Sequence, residues 1–142
     1  MTAVQIEHDR APRTVLGILG LDQHEAGALA IGSILRDHGI EVIYVGRFQT
    51  PSTLAHIAMQ EDADVIAISC HSWEFLYYAK ELVDMLDATP PRIPVVMGGS
   101  VVTGEDRDTV LASGVDAAIL KDEPVEHIVE TFRALTKSYR GA

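Results

Sequence analysis

Short β-branched runs alternate with stretches of helical apolar spacing, and the alternation repeats five times along the chain. Thr14–Leu19 predicts a first strand, and a helix follows over about Glu25 to Asp37, ending near Gly39. Glu41–Val45 predicts a second strand, and Pro51 opens a helix that runs to about Gln60. Asp64–Ser69 predicts a continuous buried strand, followed by a helix from about Glu74 to Leu86. Ile93–Met97 predicts the fourth strand, ending in Gly98-Gly99, and Glu105 to Ser113 a helix that stops at Gly114. Asp116–Leu120 predicts the fifth strand, before a last helix from about Pro124 to Lys137.

Near-continuous apolar strands separated by amphipathic helices imply a parallel sheet covered on both faces. For an α/β chain of this size the expected architecture is a flavodoxin-like, doubly wound, five-stranded parallel sheet of order 2-1-3-4-5, with helices on both sides. Ligands of such sheets bind outside the carboxyl ends of strands 1 and 3, where the winding reverses. Three unusual features converge there. Gly20-Leu21-Asp22-Gln23-His24-Glu25-Ala26-Gly27 leaves strand 1, Ser69 ends strand 3, and Gly98-Gly99 ends strand 4. Within the loop, Asp22-x-His24-x-x-Gly27 sets an imidazole beside a carboxylate, the pairing by which a ligating His is oriented through its second nitrogen.

Composition narrows the field. The chain has 142 residues, 47% of them hydrophobic, enough for one domain with a core. Residues 1–12 read as a flexible N-terminal arm without a signal-peptide core, 13–138 as the domain, and 139–142 as a C-terminal tail. A net charge of −10 argues against a nucleic-acid partner. No stretch approaches the roughly 20 apolar residues needed to span a membrane. One cysteine, Cys70, excludes an internal disulfide and fits a reducing, cytoplasmic setting. Cys70 reads as a small buried hydrophobe, and His38, His56 and His127 as solvated or half-buried helix residues.

Other ligands of this edge fit poorly. A phosphorylatable receiver would need an acid at Ser69, although Lys121 after strand 5 suits that reading. Asp22, His24 and Glu25 would repel a flavin phosphate, and the G-x-G-x-x-G fingerprint is absent.

Four motifs stand in order at these strand ends: Gly-Leu-Asp22-x-His24-x-x-Gly27, Phe48-Gln49-Thr50-Pro51, Ser69, and Gly98-Gly99. Together they resemble the cobalamin-binding domain of the adenosylcobalamin-dependent acyl-CoA mutases, the group of methylmalonyl-CoA mutase and 2-hydroxyisobutyryl-CoA mutase. The likeness runs from about Arg13 to Leu135. It implies that His24 is the lower axial ligand of cobalt, replacing the cofactor's own base, with Asp22 bonded to its other nitrogen. It implies further that the displaced nucleotide tail inserts between Ser69 and Gly98-Gly99, where glycines allow close approach, and that Gly27 lets the first helix start against the ligand. Phe48 and His71 complete the implied cofactor-binding set.

By the same resemblance the chain is the small subunit of a split mutase. Its partner would be a larger chain whose β/α barrel binds the acyl-CoA, and the reaction a radical carbon-skeleton isomerisation. No pair of titratable groups is poised for acid–base work, so no catalytic residue is assigned here. The chain departs from the family's pattern at Gln23, Glu25 and Ala26, and in Ser69-Cys70-His71, where the family has Ser-x-Leu. Ser100 also replaces the proline that follows the glycine pair. His71 is read either as a cofactor contact or as a packing residue. Of Trp73, Phe75, Tyr77 and Tyr78, helical spacing would bury two and leave the rest at an interface. Two further readings stay open: a corrinoid carrier or cobalamin-binding module without mutase activity, and a degenerate subunit that has lost the cofactor.

Overall fold

Because Thr14–Leu19 carries no charge, β1 (Arg13–Leu19) is buried on both sides and takes an interior position in the sheet. The computed structural model describes residues 10–20, 25–70, 76–99 and 102–140, with side chains to residue 136. After β1 come α1 (Ala26–Asp37), β2 (Glu41–Gln49), α2 (Pro51–Gln60), β3 (Val65–Ser69) and α3 (Leu76–Asp87). β4 (Val95–Gly98), α4 (Arg107–Ala112), β5 (Ala117–Ala118) and α5 (Val125–Arg140) complete the chain. The five strands are parallel in the order β2-β1-β3-β4-β5, as expected, so the winding reverses between β1 and β3.

Alternate residues of each strand serve opposite faces. Val15, Leu19, Ile66, Ile68, Val95 and Met97 pack with Leu54, Ala55 and Ala58 of α2 and Leu82 and Leu86 of α3. Leu16, Ile18, Val65, Ala67 and Val96 face the other way, with Ala28 and Leu35 of α1 and Ile128 and Phe132 of α5. At the amino edge, Asp64 and Asp116 each accept a backbone amide at the start of a neighbouring strand, Arg13 and Val95, both at 2.8 Å. Arg10, within the stretch expected as an arm, donates to Asp64 at 3.1 Å and to the Asp62 carbonyl at 2.8 Å.

Several boundaries differ from expectation. β2 runs on to Gln49 instead of stopping at Val45. The register against β1 slips twice, once where Gly46, at φ +85°, comes opposite Gly17. The Gln49 side-chain amide donates to the Val45 carbonyl at 2.8 Å and supports the irregular stretch. β5 pairs only at Ala117 and Ala118, and α5 continues to Arg140. α2 starts as predicted: Thr50 is the N-cap in a reciprocal pair with Thr53, and Pro51 is the first helical residue.

Candidate functional site

The α1/α5 face loses bulk toward the carboxyl edge of the sheet. On that face β3 presents Val65, then Ala67, then Ser69, and β4 presents Val96, then Gly98. A cavity of about 620 Å³ opens over these small residues, between α1 and α5. Leu16, Ala67 and Val96 form its floor, Ile31 and Ile34 one wall, and Ile128 and Phe132 the other. Ser69, Gly98, Gly99, Thr103, Lys121 and Glu123 stand around its mouth. Its lining is mostly apolar, the character of a site that holds a small molecule by burial and orients it with a few polar groups.

Four of the sequence-predicted residues, Gly27, Ser69, Gly98 and Gly99, come together on this cavity. A Cβ placed on Gly27 would meet no atom within 4 Å, so the first turn of α1 borders open space that a ligand can fill. Gly99 has a different reason to be glycine. Its φ is +128°, and a Cβ there would run into the backbone of Cys70, whose N–H donates to the Gly98 carbonyl at 2.8 Å. Close approach at Gly99 is therefore required by the protein's own backbone. Phe48 is not on the cavity; it is the penultimate residue of β2, at φ +63°, about half exposed, with the Arg47 guanidinium 5.3 Å from its ring centre. Asp22, His24 and His71 lie outside the described residues, as do Trp73 and Phe75.

Tyr77 and Tyr78, in an edge-to-face pair, are both exposed, so neither supplies the core contact that spacing allowed them. His38 and His56 are exposed, and the exposed His127 bonds Glu123 at 2.9 Å. A smaller hollow of about 320 Å³ lies at the opposite edge, beside Arg10, Asp62 and Arg92, and includes none of the predicted site residues.

The two ends of the loop 21–24 are both tied to β2. Before it, the Gly20 N–H donates to the Gln49 carbonyl at 2.8 Å. After it, the Tyr44 hydroxyl donates to the Glu25 carboxylate at 2.6 Å, and Arg47 Nε lies 3.8 Å from the same group. Burial, and then the bond to Glu25, push the Tyr44 phenol up to about 12, so it stays a donor at neutral pH. Sequence reading passed over Tyr44, Ile31, Ile34, Ile128 and Phe132. A signal for the α1 wall was present: Gly27, Ile31 and Ile34 form an apolar stripe beside the one that the sheet buries, Ala28, Gly32 and Leu35.

The B12 binding domain family matches residues 12–129. The chain belongs to the B12-binding domain family. This B12-binding domain is 34% identical over 135 residues to the 2-hydroxyisobutanoyl-CoA mutase small subunit of Aquincola tertiaricarbonis, covering 94% of this chain and 98% of that one. It is 33% identical over 132 residues to the pivalyl-CoA mutase small subunit of Xanthobacter autotrophicus, covering 93% and 88%. The crystal structure of a cobalamin-binding protein from Desulfitobacterium hafniense shares its fold, with a TM-score of 0.75 and 19% identity over 88% of this chain and 59% of that one. Among the described residues no helix is long and apolar enough to cross a membrane.

Proposed function

We propose that this B12-binding domain is the small subunit of an acyl-CoA mutase and presents adenosylcobalamin to a larger chain that binds the thioester. The observation that carries this reading is the apolar cavity of about 620 Å³ at the switch point between β1 and β3, bordered by the open side of Gly27. The end-to-end likeness to two mutase small subunits sets the reaction class as isomerisation.

In this reading His24, which lies between β1 and α1 in the sequence, would hold the cobalt through its imidazole. Asp22 accepts a hydrogen bond from the other ring nitrogen, which fixes the tautomer and strengthens the ligand. The cavity between α1 and α5, where Ala67, Ser69 and Gly98 leave room and Ile31, Ile34 and Phe132 exclude water, would hold the cofactor's nucleotide tail. When bound, the cofactor supplies the organic radical that carbon-skeleton rearrangement needs. The larger chain encloses the acyl-CoA in a β/α barrel.

The test is an EPR spectrum of the ¹⁵N-histidine-labelled chain mixed with cob(II)alamin of natural isotope content. A ¹⁵N doublet on the cobalt lines, lost in His24→Ala, is the expected result. A ¹⁴N triplet from the cofactor's own base would overturn the ligand assignment and favour a carrier.

A further inference from the structure

Glu25 stands at the start of α1, where a carboxylate ordinarily bonds the free amides of the first turn. Here its side chain makes no such bond. It turns instead to β2, where Tyr44 donates to one oxygen at 2.6 Å and Arg47 approaches the other at 3.8 Å. Tyr44 is itself fixed, paired in register with Leu16 and packed against the α1/α5 core. Arg47 is held at a second point by the Phe48 ring. On the other side of the loop, the Gly20 amide is bonded to Gln49, also in β2. Four residues, 21–24, thus run between two anchors on a single strand.

From this geometry we infer that Tyr44 and Arg47, acting through Glu25, are positioning residues for the His24 imidazole. The inference rests on the reading of His24 as the cobalt ligand. Glu25 is covalently next to His24 in the sequence, and its own side chain is held on β2 by Tyr44 and Arg47. Tyr44 supplies the shorter contact, and Arg47 adds charge at a more exposed position.

The experiment uses the full ¹⁵N-histidine-labelled chain and cob(II)alamin, with the ¹⁵N doublet and the dissociation constant read together. Tyr44→Phe and Glu25→Ala should each weaken binding roughly 10-fold, the lower end for a group that orients a ligand, and should convert part of the doublet to the ¹⁴N triplet. Arg47→Ala should cost about two- to five-fold, as an exposed ion pair does. The Tyr44→Phe, Glu25→Ala double variant should bind no more weakly than Glu25→Ala alone, because the tyrosine acts through the carboxylate. Circular dichroism melts of each variant separate loss of fold from loss of position. If Tyr44→Phe fails to fold, Arg47→Ala and Glu25→Ala, both altering solvent-accessible side chains, carry the test. A full doublet and unchanged affinity in folded Glu25→Ala would overturn the inference, as would additive losses in the double variant. A triplet in the unaltered chain would instead remove the His24 reading itself, and the positioning role with it.

Discussion

The two faces of this sheet are built from the same strands, yet one is closed and the other holds a cavity. On the α2/α3 face, Ile66 lies between Val15 and Val95, and Ile68 is followed across β4 by Met97. One residue over, on the α1/α5 face, Ala67 lies between Leu16 and Val96, and Ser69 lies between Ile18 and Gly98. The helices follow suit. α2 and α3 pack closely against each other, whereas α1 and α5 meet at few positions and leave the floor between them uncovered. The difference shows that a parallel sheet can keep its order and register while the side chains of one face are cut back to leave a cavity.

The sharpest way to break the contrast is to put the same large residue on each face. Ala67→Phe adds bulk to a floor position with room above it, so stability should stay within about 1 kcal/mol while cobalamin affinity falls 100-fold or more. Ala55→Phe adds the same bulk to a fully buried site in the closed core and should cost about 1–3 kcal/mol, with binding of the folded protein little changed. Thermal melts and absorbance titrations of both variants provide the comparison. A large loss of stability in Ala67→Phe would mean that the cavity closes in solution.

Much of this architecture can be read directly from the chain, and the part that cannot has a physical cause. The covered parallel sheet followed from uncharged strands such as Thr14–Leu19 and Val65–Ser69, which are suited to burial on both sides. The glycines and Ser69 at the strand ends marked the edge. Which face is open was also written in β3, as Ile66 and Ile68 against Ala67 and Ser69, but the run reads as uniformly apolar until the pleat assigns alternate residues to opposite sides. The cavity walls were harder to find. Ile31, Ile34, Ile128 and Phe132 look like core by spacing, and only the separation of α1 from α5 gives them a space to line. Tyr44 was invisible for a different reason. Its bond to Glu25 joins residues 19 apart, from the middle of β2 to the start of α1, with no local motif.

A pair of glycines sharpens the comparison at smaller scale. A Cβ on Gly17 would sit 2.8 Å from Leu54 Cδ2 and 2.9 Å from Val45 Cγ2, so Gly17→Ala should cost about 1–3 kcal/mol on the closed side. Gly27→Ala meets nothing within 4 Å and gains helix propensity, so it should stabilise the chain by up to about 1 kcal/mol. Its new methyl group borders the cavity, so the same variant should bind cobalamin several-fold more weakly. Equal melting shifts of the same sign in the two variants would contradict the assignment of one tight and one open face.

The smallest expected effect concerns charge at the mouth. Among the described residues, Lys121 is the one cation on the cavity, and Glu123 beside it is already engaged by His127 at 2.9 Å. On a chain of net charge −10, a lysine at that position offsets the repulsion that an entering phosphate would meet. Lys121 is exposed, so the contact should be worth no more than a surface ion pair, about 0.2–1 kcal/mol. Lys121→Ala should therefore weaken cobalamin binding about two- to five-fold at low salt, and the difference should fade as ionic strength rises. Cobinamide, a corrinoid without the phosphate-linked nucleotide, provides the control: its affinity should be the same for both proteins. Parallel losses for the two corrinoids would instead tie Lys121 to the shape of the β5–α5 turn, leaving the apolar walls alone to hold the tail.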